Sequence, residues 1–135
     1  MHRVSFFDRK GVNAEKIMKF SFWEKFRNFN LDTEIIRSSE LLSESIHQRK
    51  SDILIAFSDG TDLISPERIH DFVRKFAKLQ LIVIGRDSSY KTTRCYFLSG
   101  VYDYLTDPFD ESTLEESVAR MCCDYGVDYV ENELK

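Results

Sequence analysis

Ile53-Leu54-Ile55-Ala56-Phe57 is an unbroken apolar run of strand length, and Leu81-Ile82-Val83-Ile84 is a second. A strand that is apolar at every position has to be covered on both faces. A parallel sheet flanked by helices provides that cover, and a sheet with one wet face does not. The stretches between such runs supply the helices. Ser65 is placed to cap a helix and Pro66 falls at its first position, where the missing N–H costs nothing. Ile69, Phe72, Val73 and Phe76 then repeat on one buried face. Val4–Phe7 reads as a first strand ending at Asp8, and Asn13–Phe29 as a helix with a broad apolar face that includes Ile17, Phe22, Trp23 and Phe26. Thr33–Ile36 is a more polar strand candidate near an edge. Ser38 or Ser39 is placed to cap a short helix bearing Leu41, Leu42 and Ile46. Residues 88–99 form a further helix stopped by Gly100, and Val101–Leu105 is the fifth strand. Asp110 or Ser112 opens a last helix with Leu114, Val118, Met121 and Cys122 facing inward. Strands that alternate with helices in this way predict an α/β domain with a parallel sheet between two helical layers. Ligand sites in such sheets lie beyond the carboxyl ends of the strands, here at Asp8, Phe57, Gly85 and Thr106-Asp107.

A chain of 135 residues suits one domain that buries about two-thirds of its unfolded surface. Hydrophobic content of 42% supports a genuine core, so a disordered chain is a poor reading. The formal net charge of −4 argues against direct nucleic-acid binding, which needs a basic stripe. No apolar run approaches the roughly 20 residues of a membrane span, and no signal-peptide core is evident near the start. Cys95, Cys122 and Cys123 form an odd set without metal-ligand spacing, which suits a reducing cytoplasm and buried or half-buried thiols.

Gly100-Val101-Tyr102-Asp103-Tyr104-Leu105-Thr106-Asp107-Pro108-Phe109 resembles the segment that closes a response-regulator receiver domain: a helix-ending glycine, a short strand with an aromatic, then Lys-Pro-Phe. The resemblance spans roughly residues 3–123, with residues 124–135 as an extension of the last helix or the start of a linker. It implies a flavodoxin-like, three-layer fold with strand order 2-1-3-4-5, and a cis bond at Asp107-Pro108. It also implies a phosphorylation site that this chain has largely lost. Asp107 stands at the lysine, Gly85 at the Thr or Ser ending strand four, and Phe57 at the phosphoacceptor. The acidic pair after strand one survives only as Asp8, followed by Arg9. Phe57 has no oxygen to form an acyl phosphate, Gly85 has no hydroxyl, and Asp107 puts negative charge where a phosphoryl anion needs a cation. Asp8 alone is a thin supply of ligands for a divalent metal. The aromatic switch position is kept as Tyr104.

The resemblance therefore implies a non-catalytic pseudo-receiver, a signalling module of the two-component type that works through protein contacts in transcriptional control. No cofactor or metal is expected. The partner is a protein or a second copy, met through the helix-four, strand-five, helix-five face bearing Tyr90, Arg94, Tyr102 and Tyr104. A DNA-binding output domain is implied if the native protein is longer. Solvated surface is an equal reading of that face. Asp59 (or Ser58) is an alternative acceptor in a shifted register, although Asp59-Gly60 reads first as a turn. Asp8 reads first as a solvated carboxylate or one paired with Arg9 or a lysine, and Asp107 as a partner for Arg86 or Arg9. A flavodoxin-like small-ligand binder is a third reading, but no glycine-rich phosphate loop or nucleophile elbow supports it.

Overall fold

The computed structural model describes residues 2–26, 29–58 and 65–125, with side chains of the last helix described as far as Met121. The strands are β1 (His2–Phe7), β2 (Phe29–Leu31), β3 (Ile53–Phe57), β4 (Gln80–Gly85) and β5 (Asp103–Thr106). The helices are α1 (Val12–Met18), α2 (Leu42–Arg49), α3 (Pro66–Lys75), α4 (Tyr90–Ser99) and α5 (Glu111–Tyr125). Short 3-10 turns occupy Ser21–Lys25 and Ser39–Leu41. All strand pairs are parallel, in the order β2-β1-β3-β4-β5 that the receiver resemblance implies.

Side chains alternate across a strand, and this chain fills both sides. Ile53, Ile55 and Phe57 join Ile82, Ile84 and Leu105 on one face, packed by α1, α5 and the aromatics Phe22, Trp23 and Phe26. Leu54, Ala56, Leu81, Val83 and Tyr104 fill the other face beneath α2, α3 and α4. The uninterrupted apolar runs are accounted for by these two cores. In α5, Leu114, Val118 and Met121 are all fully buried.

Several boundaries differ from the sequence reading. The helix expected over Asn13–Phe29 ends at Met18. Its last turn tightens through Lys19 N–H to Lys16 (3.3 Å) and Phe20 N–H to Ile17 (3.0 Å), and Phe20 is extended. The Trp23 indole N–H also donates to the Ile17 carbonyl at 2.9 Å, a second donor beside the Phe20 N–H. The aromatics then fold back as a cluster, with Phe22 and Trp23 ring centres 4.6 Å apart and Phe26 and Phe29 5.1 Å apart. Core packing is thus the role of the stripe, but as a turn over the sheet edge and not as one helix. Phe29 itself belongs to β2.

The second strand accordingly lies at Phe29–Leu31 and not at Thr33–Ile36, where only Ile36 bridges to Phe7. The strand ends at Leu31, although Asp32 N–H still donates to the Val4 carbonyl at 2.9 Å, and the Asp32 carboxylate meets Arg3 (3.3 Å), Arg49 (3.5 Å) and the Ser5 hydroxyl (2.5 Å). Leu41 is exposed because the 3-10 turn rotates it outward, while Leu42 and Ile46 are buried as expected. Ser65 and Ser38 occupy cap positions without bonding through their hydroxyls. With Pro66 at the first helical position there is one donor fewer to satisfy in α3. The last helix opens at Glu111, with Thr113 N–H bonded to the Asp110 carbonyl at 2.9 Å. β5 begins at Asp103, two residues later than read, although Val101 is buried beside it. Gly100 ends α4 in the left-handed region at φ 106°, as a helix-stopping glycine should. Cys122 and Cys123 have no described side chains, and 126–135 lie outside the described residues.

Candidate functional site at the carboxyl ends of the strands

The parallel sheet brings Asp8, Phe57, Gly85 and Asp107 to one end of the molecule, around an open cavity of about 720 Å³ that also touches Ser58, Tyr96 and Tyr104. Asp8 is 3% exposed and so not solvated as expected, and backbone amides meet its carboxylate where a basic side chain was expected. One carboxylate oxygen accepts from Lys10 N–H at 3.2 Å, the other from Asn13 at 3.0 Å and Ala14 at 3.1 Å. It caps α1 from outside the helix, meeting amides that have no intrahelical acceptor. Arg9 is exposed.

Phe57 is buried against the α1/α5 core, and the following Ser58 N–H bonds the Ile84 carbonyl at 2.8 Å. Asp107 is exposed, and its N–H donates to the Gly85 carbonyl at 2.7 Å. Its carboxylate makes no ion pair with another described residue, which removes the expected bridge to Arg86 or Arg9. The Asp107-Pro108 bond is cis, as the resemblance implies. Asp59 lies outside the described residues. Among the described residues no three His, Cys, Asp or Glu side chains converge as metal ligands. Both Asp8 oxygens accept from backbone amides, and residue 57 contributes a phenyl ring and no oxygen ligand.

Tyr104 is turned inward and 8% exposed. Its hydroxyl donates to the Asp87 carbonyl at 2.8 Å, and its ring stacks on Tyr96 of α4 with centres 4.8 Å apart and planes 13° from parallel. Burial raises the pKa of both phenols above the ordinary tyrosine value. Asp87 and Tyr96 were not singled out by the sequence, although Asp87-Ser88-Ser89 is a readable helix start. The Asp87 carboxylate accepts from the Thr92 hydroxyl (2.6 Å) and Ser89 N–H (2.9 Å), which lower its pKa, and the Ser89 hydroxyl accepts from Thr92 N–H at 3.3 Å. Tyr90 is 77% exposed, Arg94 is exposed and Tyr102 is half-buried. The sequence reading missed two neighbours, Phe97 and Leu98, exposed by 44% and 72%. They fall with Tyr90 and Arg94 at i, i+4, i+7, i+8, which is one face of α4.

No family model matches this chain, and no curated protein matches it significantly. Solved structures do. A CheY-like response regulator receiver domain protein from Methanospirillum hungatei JF-1 is similar with a TM-score of 0.74 at 12% identity, covering 92% of this chain and 95% of its own. RcsB from Salmonella enterica serovar Typhimurium, bound to a promoter with a phosphomimetic, gives 0.73 at 16%, covering 88% and 67%. An orphan response regulator of H. pylori gives 0.69 at 19%, covering 90% and 94%. This chain therefore has the CheY-like receiver fold. At such identities the likeness fixes the architecture, and chemistry has to be argued from the residues at the strand ends.

Proposed function

We propose that this chain is a pseudo-receiver: a non-enzymatic, cytoplasmic signalling module that takes no phosphoryl group and works through protein contacts. The observation that carries this reading is Phe57, a buried phenyl ring at the end of β3 where the receiver resemblance puts the phosphoacceptor. The fate of Asp8 agrees with it, since three backbone amides already draw on its carboxylate and leave it a poorer ligand for a metal. Asp107, exposed and negative, would repel a phosphoryl anion.

The contact surface in this reading is the α4–β5–α5 face, and its first partner is a second copy. α4 presents Lys91 and Arg94 with exposed Tyr90, Phe97 and Leu98, whereas the exposed residues about the start of α5 include Asp107, Asp110 and Glu116. A two-fold axis that sets α4 against α5 of the other copy brings opposite charges together around an apolar centre. The promoter complex among the similar structures belongs to RcsB. By analogy, this domain would serve transcription through an output domain in a longer native protein, since its own net charge of −4 does not suit DNA.

Incubation with a small phosphodonor and Mg²⁺, followed by intact-mass measurement, tests the proposal. An unchanged mass is expected. Gain of one phosphoryl group that disappears in Asp59→Asn would overturn it in favour of a displaced acceptor.

A further inference from the structure

We propose that Gly85 exists to admit the Tyr104 ring, and that the sealed ring holds the ends of β3, β4 and β5 and the start of α4 in one arrangement without any modification or ligand. Val83 pairs with Tyr104 in the β4–β5 register, so residue 85 lies on the same sheet face, diagonal to Tyr104. A Cβ at Gly85 would overlap the Tyr104 hydroxyl and lie 3.0 Å from Cζ and 3.1 Å from Cε1. A side chain there would force the inward ring to give way. The backbone does not itself demand glycine, because Gly11 and Gly100 have positive φ among the described glycines and Gly85 does not. A glycine weakens a strand interior, so its presence marks a close approach; here the approaching group is a phenol.

The ring is held on several sides. Its hydroxyl bonds the Asp87 carbonyl, and the carboxylate of the same Asp87 fixes the first turn of α4 through Ser89 and Thr92. Its face stacks on Tyr96, whose own hydroxyl reaches the Ser58 hydroxyl at the end of β3 at 3.4 Å. The inward Tyr104 and the Tyr96 ring stacked on it thus link three strand ends to α4. The exposed α4 face that carries Tyr90, Phe97 and Leu98 is thereby presented in a single position relative to β5. This holds whether or not the strand ends accept a phosphoryl group, so it stands apart from the pseudo-receiver reading.

Fluorine NMR of the full chain labelled with fluorotyrosine tests the lock, with the Tyr104 signal assigned by its loss in Tyr104→Phe. The wild type should show one Tyr104 signal with little response to exchanging H₂O for D₂O. In Gly85→Thr that signal should move to the shift and solvent response of an exposed tyrosine, with a melting temperature lower by roughly 3–10 °C. A Tyr104 signal in Gly85→Thr that keeps its shift and protection would overturn the proposal, as would a wild type already mostly exposed at Tyr104. If Gly85→Thr fails to fold, Gly85→Ala is compared in wild-type and Tyr104→Phe backgrounds. A smaller melting-temperature loss without the hydroxyl supports the lock, and equal losses refute it.

Discussion

At the end of β1 a carboxylate that had every opportunity to face solvent is turned back onto its own chain. Asp8 supplies the acceptor that the first turn of α1 otherwise lacks, and its burial makes the loss of that acceptor expensive. Asp8→Ala should lower unfolding stability by about 1–3 kcal/mol in urea titration, because two or more amides lose their partner away from water. Asp8→Asn, which keeps one oxygen, should cost less; equal stability of all three would show that the cap is idle. The tyrosine pair makes a separate prediction. Burial raises the Tyr104 and Tyr96 pKa in the folded state, so above the ordinary value near 10 the unfolded chain loses these protons first. The folded state then binds more protons than the unfolded one, and stability falls as pH rises. The phenols should leave stability unaffected through neutral pH and cause a decline beginning at about pH 10. Tyr104→Phe should flatten that decline, and an unchanged alkaline slope would contradict the burial of Tyr104.

Among the elements, the turn after α1 shows one side chain bonding back to a helix end. Trp23→Phe keeps a large ring in the cluster but leaves the Ile17 carbonyl without its indole donor. It should cost about 0.5–1.5 kcal/mol, because the Phe20 N–H still serves that carbonyl, read as a lower urea midpoint with an unchanged slope. A change within experimental error would mean that the Phe20 N–H alone satisfies the carbonyl. The same segment marks the limit of reading elements from sequence. Ile53–Phe57 was legible residue for residue, since a run apolar at every position has one economical home between two cores. Aromatics from Ile17 to Phe29 fit helical spacing equally well as a stripe or as a turn. What decides is the sheet edge they must cover, a tertiary fact that periodicity does not carry. Asp32 is similar, because its pull from Arg3 and Arg49 joins residues far apart in the chain. At the strand ends the sequence placed Phe57, Gly85 and Asp107 together, yet the bond set of Asp8 and the Gly85–Tyr104 contact needed the register. Diagonal pairing across β4 and β5 would have suggested the latter had the strand boundaries been known.

For the whole molecule, the receiver architecture and the losses at its strand ends point in different directions. The fold is complete: five parallel strands in order, two cores, and helices on both faces. The residues at the strand ends depart from those that the resemblance would place there, and Tyr104 is inward, bonded to the Asp87 carbonyl and packed against Gly85. A module of this kind is expected to present its α4–β5–α5 surface permanently. Any regulation then has to come from a partner that binds one state of the surface better than another. Static light scattering on the purified chain, with and without a small phosphodonor and Mg²⁺, tests this most directly. The account predicts the molar mass of a dimer under both conditions. A monomer that becomes a dimer only after phosphodonor treatment would contradict it.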